Sequence, residues 1–465
     1  MPKNSNAPKG SRLPKGRSKK SKNSKKSAST AFGIEALKLS ENDSAHTSFD
    51  EDSLSETSSY VTASSECLGD YSSDCENDVV ETNSLEQVEE KLRDAVEGLT
   101  ERSAKYRKEC LNVIIKAFVN NDVSSFLERF QETLCDNLEK CLKKGNGEEQ
   151  SLAARAIGIV AIQLGTEGIE VENTGGSCSN LFNLYSKFMI KIILDKTASL
   201  HARTKCCQVL GALAFLITEE MDEIFNCLST FELVFKDSFL KGDKSPPTVS
   251  PLVSDLHNAA LSSWALLLSI CPWSKVLEIS QNILSRLPEL LTSSNVNLRM
   301  TAGETIALFY EIIRSEDAHH LLRRLLDQKL LISDLKELAT DSSKSRSKKD
   351  KKTQRSNFRD IVRSIENDET PEVTIKFGKE VLYIGTWTTK RQYAFLKDLL
   401  GTGVNYQLKY NGLLRDIFEL GPVLIDGLDT KRGSHLERHL YNQAIFKARS
   451  KVRGKMRDKR TSFMY

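Results

Sequence analysis

The chain has 465 residues, of which 39% are hydrophobic and 28% charged, with a formal net charge of +3. That length exceeds one ordinary domain and the apolar fraction is low for a chain folded throughout, so at least two folded units plus tails are expected. Ten cysteines with no CxxC pair exclude a disulfide scaffold and fit reduced intracellular thiols on helix faces.

The small net charge conceals segregation. Residues 1–26 hold ten Lys or Arg and no acid, while residues 41–83 hold twelve Asp or Glu and no Lys or Arg. Residues 1–83 carry few large apolar side chains, cannot offset chain entropy by burial, and are expected to be a disordered basic-then-acidic tail. The run Lys19 to Lys26 (KKSKNSKK) reads either as a nuclear-import signal or as a soluble basic tail. No apolar run suits a secretory signal or a membrane span, so a cytoplasmic and nuclear protein with no membrane partner is expected.

Residues 84–340 read as helix throughout, with apolar residues recurring at three- and four-residue spacing. The strongest signal is an internal repeat. Five anchors, Arg107, Gln150, Arg203, His257 and Arg299, are each followed at +3, +4, +7 and +11 by one helical stripe. The stripes are Cys110, Leu111, Ile114, Phe118; Ala153, Ala154, Ile157, Ala161; Cys206, Cys207, Leu210, Ala214; Ala260, Leu261, Trp264, Leu268; and Ala302, Gly303, Ile306, Tyr310. Anchor spacings of 43, 53, 54 and 42 residues match HEAT or armadillo units, lengthened in two places by loop-like insertions at 166–179 and 241–251. Partner helices are expected near 85–99, 123–143, 181–194, 222–240, 275–292 and 318–339.

Residues 341–357 read as a charged linker, in which Ser345 and Ser347 are candidate phosphate acceptors. Residues 358–430 read as a small α+β module docked on the array. Within this stretch, 357–366 is expected as a helix and 373–387 as a β-hairpin turning at Gly378. A helix is expected over 389–400, a strand over 404–410, and a helix over 413–420. The fold class is therefore mainly α, a HEAT/armadillo-like solenoid with a small C-terminal α+β module and a basic C-terminal helix over 431–465.

In that last segment Lys447, Arg449, Lys451, Arg453, Lys455, Arg457 and Lys459 alternate, followed by Arg460, with Arg438 about two and a half turns earlier. On a helix, alternate positions lie about 200° apart, so the charge wraps the rod. A wrapped cationic rod suits an RNA-walled channel better than a flat membrane. Its bland counterpart is a solvated tail. His435 and His439 are four apart but lack the Glu that a zincin motif places directly after the first His, and no third ligand is near. His319 and His320 are expected at the surface, Cys206 and Cys207 in the core, and the glycine pairs 145/147 and 401/403 as turns and caps. No catalytic arrangement, cofactor, metal or small-molecule substrate is indicated, so the chain is expected not to be an enzyme.

The strings CLKKG (141–145), ICPW (270–273), NVNLRMTAGETIAL (295–308), QRSNFRD (354–360), TIKFG (374–378), Trp387, FELGP (418–422), ERHLYN (437–442), FKARSK (446–451) and RDKR (457–460) together resemble the interferon-related developmental regulator family over about 84–460. The resemblance implies an armadillo-type repeat followed by a family-specific C-terminal domain. It also implies one of two functions. The first is binding to translationally inactive ribosomes, with ribosomal RNA and ribosomal proteins as partners and the C-terminal helix in the mRNA path. The second is transcriptional co-regulation in differentiation, through chromatin-regulator proteins in histone-deacetylase-containing complexes. A third reading, a peptide-carrying transport adaptor, would require a Trp/Asn ladder that the repeats lack.

Overall fold

The computed structural model describes residues 78–165, 179–218, 220–340, 347–421 and 423. The helix pairs run in chain order as α1 (Asp78–Gly98) with α2 (Ala104–Asn120), α3 (Ser124–Lys144) with α4 (Gly147–Leu164), and α5 (Ser179–Leu194) with α6 (Leu200–Leu216). They continue as α7 (Met221–Phe235) with α8 (Pro251–Leu268), and α9 (Trp273–Ile279) with α10 (Val296–Ser315). After α11 (His319–Leu325) come α12 (Gln328–Thr340) and α13 (Lys348–Asn367). The partner of α10 is broken: α9 passes into a π turn at Ser280–Leu284 and a 3-10 segment at Leu287–Thr292, whose Pro288 cannot continue an α-helix.

Helices α2, α4, α6, α8, α10 and α13 pack successively into one row. All five stripes are buried, including Gly303. Aromatic packing links adjacent units: Trp264 on α8 lies 5.6 Å from Phe235 and 6.0 Å from Phe309, ring centre to ring centre. Side-chain N-caps start most of the row, with Ser103, Asn146, Ser250, Asn295 and Ser347 accepting from the backbone N–H three residues on.

The anchors have a physical task that spacing alone does not reveal. The last carbonyls of a helix have no intrahelical donor, and each anchor reaches back to the end of the preceding helix or the loop after it. Gln150 donates to the Leu142 carbonyl (3.1 Å) and Arg203 to that of Ile193 (2.8 Å). Arg107 donates to the carbonyls of Glu101 and Arg102, and Arg299 to that of Ser293. His257 instead meets the Ser238 hydroxyl through Nδ1.

Two expectations for the region after α12 are corrected. The helix expected from Asn357 begins at Lys348, so most of the expected charged linker is the first half of α13. This helix is also not part of a separate module, because it packs on α10 and α12 as the sixth member of the row. Gln354 acts as a sixth anchor: it donates to the Leu338 carbonyl (3.2 Å) and accepts from Arg299 (2.7 Å), while Phe358, Ile361 and Ile365 are buried at +4, +7 and +11. A Cβ on Gly303 would come within 2.8 Å of the Phe358 ring, so a glycine is what lets α13 close onto α10.

The hairpin forms as expected, with β1 (Val373–Phe377) antiparallel to β2 (Glu380–Ile384) and Phe377 opposite Glu380. Gly378 takes a φ of 54°, which a tight two-residue turn demands. Then follow α14 (Trp387–Leu400), α15 (Val404–Tyr410) and α16 (Gly412–Ile417). The expected strand over 404–410 is therefore a helix. Its buried residues, Val404, Gln407 and Leu408, have helical i, i+3, i+4 spacing, and the apparent alternation came from exposed or half-buried tyrosines.

Burial gives the array a pH dependence. His257 is 5% exposed, and burial pushes its pKa below the usual imidazole value, with Asp237 opposing and Arg203 reinforcing the shift. The folded state then stays neutral where the unfolded imidazole, with a pKa of about 6.5, takes a proton. Stability should therefore fall as pH drops through about 6.5. Replacing His257 with Gln should flatten the melting temperature between about pH 7 and about pH 5, and an unchanged slope would assign the effect elsewhere.

Candidate functional site

The chain folds back on its own repeat. Helix α14 lies across α10, α8, α6 and α4, and α15 reaches α2, so the C-terminal segment straps the row that carries the stripes. The contact is built from both apolar and polar groups. Trp387, Phe395, Leu396, Leu399 and Leu400 are buried in it. Glu311 on α10 sits at the start of α14, accepting from the backbone N–H groups of Trp387 (2.7 Å) and Thr388 (3.1 Å) and from the Thr388 hydroxyl (2.9 Å). A carboxylate there satisfies orphan donors and complements the helix dipole.

Further along, Arg391 is 6% exposed, donates to the Ser262 hydroxyl at 3.1 Å and pairs with Glu304. Arg155 on α4 donates to the Leu399 carbonyl at the end of α14 (3.2 Å). On α15, Gln407 donates to the carbonyls of Phe118 (3.1 Å) and Val119 (3.0 Å) at the end of α2. Asn411 does the same for Ile162 on α4 (2.9 Å), and the Asp122 N–H donates to the Tyr406 hydroxyl (3.0 Å). A Cβ on Gly403 would fall 2.4 Å from the Val119 carbonyl oxygen, so only glycine permits this approach.

The end of the strap is pinned by Arg415, which is 2% exposed. Its guanidinium makes a two-pronged pair with Glu380 at the start of β2 (3.0 and 2.8 Å) and donates from Nε to the Gly421 carbonyl (2.7 Å). The point from which residues 424–465 continue is thus fixed to the hairpin and to the first repeats.

The expected RNA-contacting residues, Arg438, Lys447, Arg449, Lys451, Arg453, Lys455, Arg457, Lys459 and Arg460, lie outside the described residues, as do His435, His439 and Lys19 to Lys26. His319 and His320 are both exposed. Cys206 and Cys207 are fully buried, and burial pushes the Cys206 thiol up to about 12. Among the described residues no group of three or more His, Cys, Asp or Glu could hold a metal ion, and no helix is long and apolar enough to cross a membrane.

Residues 56–366 match the interferon-related developmental regulator family, and residues 411–461 match the interferon-related protein conserved region. The chain belongs to the interferon-related developmental regulator family. It is 41% identical to interferon-related developmental regulator 2 of Mus musculus over 88% of this chain and 90% of that one. It is 39% identical to interferon-related developmental regulator 1 of Sus scrofa, over 88% and 89%. With the human regulator 1 the identity is 38%, again over 88% and 89%. A designed armadillo repeat protein of known structure aligns over 59% of this chain and 100% of its own, at 13% identity and a TM-score of 0.36.

In this family member the second match begins at Asn411, inside the strap, and contains the whole cationic run. Docking of this segment on the array was expected from its small size, but its course as a strap across α10, α8, α6, α4 and α2 was not read from the sequence. Its only advance signal was polar residues, Arg391 and Gln407, standing on otherwise apolar helix faces. The peptide-adaptor reading gains nothing from the structure, since the row's face is taken by the chain's own α14 and α15.

Proposed function

We propose that this chain is a non-enzymatic, ribosome-binding translational repressor. The helical array acts as a rigid scaffold, and the basic segment after the strap enters an RNA-lined path and blocks mRNA sterically. The observation that carries this reading is the run of eight cations from Lys447 to Arg460, tethered to a root that Arg415 pins against the hairpin. Guanidinium and ammonium groups at this density displace counterions from RNA phosphates, and a fixed root gives the segment a defined point of departure. The family resemblance supports the same partner.

Co-sedimentation with ribosomes on sucrose gradients at rising salt tests this. Neutralising about 6–8 phosphates predicts a log–log slope of roughly −4 to −6 with the single-strand coefficient. Absence from ribosomal fractions, with exclusive nuclear residence in growing and resting cells, would sink the proposal in favour of a chromatin co-regulator scaffold.

A further inference from the structure

Helix α13 carries two chemistries on two faces. Gln354, Phe358, Ile361, Val362 and Ile365 face the array and are buried. Lys348, Lys349, Lys352, Arg359 and Arg363 are all exposed. At 100° per residue, Lys348, Lys352, Arg359 and Arg363 fall within about 60° of one another, and the stripe runs about 22 Å along the axis.

Packing does not require these cations, because the opposite face already holds α13 against α10 and α12. Lys348 with Lys352, and Arg359 with Arg363, are like-charge pairs four residues apart, an arrangement that opposes helix formation. Two of the nearby acids are engaged elsewhere. Glu366 bonds Lys336 (2.7 Å), and Asp368 bonds Arg314 (3.0 Å). Asp360 is half-buried and feels Lys390 more strongly than Arg363 or Arg359. The first-turn Asp350 lies beyond the stripe, its backbone N–H given to the Ser347 cap. What remains outward is a line of positive charge on a helix held rigid by its buried face.

We propose that this stripe is a second RNA-binding surface, which contacts the phosphate backbone without reading sequence. It rests on the ribosome-binding reading and adds a rigid contact to the tethered one. A row of exposed cations with no aromatic or amide side chain interleaved matches backbone contact, which positions a nucleic acid but does not discriminate bases. The stripe is long enough to span several successive phosphates of one strand, so its share of the salt slope is about −3.5 for five neutralised charges.

The test uses the full-length chain and a variant with Lys348→Gln, Lys349→Gln, Lys352→Gln, Arg359→Gln and Arg363→Gln. Circular dichroism and melting verify the fold, and a Lys348→Arg, Lys349→Arg, Lys352→Arg variant serves as a charge-keeping control. The probe is a labelled single-stranded RNA of mixed sequence, with the same measurements made after removal of residues 431–465. The Gln variant should bind at least 10-fold more weakly and lose about 3.5 units of salt slope, while the Arg variant matches the parent. An unchanged slope in the Gln variant, with the parent still binding, overturns the stripe alone. If neither the parent nor the tail-deleted chain binds RNA, the ribosome reading fails as well. If the Gln variant differs from the parent only while residues 41–83 are present, the stripe serves that acidic segment, and the RNA assignment is overturned.

Discussion

Removing residues 431–465 should abolish co-sedimentation with ribosomes at physiological salt while leaving the fold and its melting unchanged. The deletion begins beyond every described residue, so the array, the hairpin, the strap and the Arg415 cluster all stay. It removes Arg438 and the eight cations from Lys447 to Arg460. Each neutralised phosphate adds to the salt-dependent free energy, so the affinity loss should be on the order of 100-fold or more. Weak RNA binding by α13 should persist at low salt, below what a gradient retains. Two controls sharpen the result. Replacing the alternating cations by Gln should reproduce the deletion, whereas exchanging Lys for Arg throughout should not. Ribosome association and repression that both survive the deletion would rule out the tail mechanism.

The array was legible in the sequence because its physics is local. A buried helical face repeats at three and four residues, and the small residues of the stripes, such as Ala153, Ala154 and Cys206, are where helices meet. The anchors were found by spacing, and the structure adds the reason for their chemistry: Gln150, Arg203 and Gln354 carry donors that reach a carbonyl at the end of the preceding helix. The sixth unit escaped because the outward cations of α13 dominate its composition, although Phe358, Ile361 and Ile365 keep the stripe register. Residues 404–410 misled for a different reason. Gln407 is buried to satisfy carbonyls of α2, so a polar residue stands where an apolar one would have marked the helix face. The strap is tertiary throughout. Glu311 and Trp387 are 76 residues apart, and nothing in either local segment names the other. Of the expected site residues, none lies among the described residues, so the legible part of the candidate site is the charge pattern alone.

Replacing Arg415 with Ala should destabilise the folded chain by about 3–5 kcal/mol, the range for breaking a buried ion pair from one side. The argument is a matching of donors to acceptors. Five guanidinium N–H groups are available, and they meet both carboxylate oxygens of Glu380 and the carbonyls of Leu408, Lys409, Leu420 and Gly421. These acceptors belong to the start of β2, the last turn of α15 and the chain just past α16, so one side chain ties three separate pieces of backbone. Alanine would leave the Glu380 carboxylate, 14% exposed, without its counter-charge and would strip the donors from four carbonyls. Arg415→Lys keeps the charge but not the planar fork, and should recover only part of the loss. The double replacement Arg415→Met with Glu380→Met should be milder than Arg415→Ala, because it removes the unpaired carboxylate together with its partner. Urea titration of the four proteins measures all three comparisons. A loss below about 1 kcal/mol for Arg415→Ala would place the pair with solvent-screened surface bridges. With the larger loss, the root of the basic tail would loosen too, and ribosome affinity should fall although every tail cation remains.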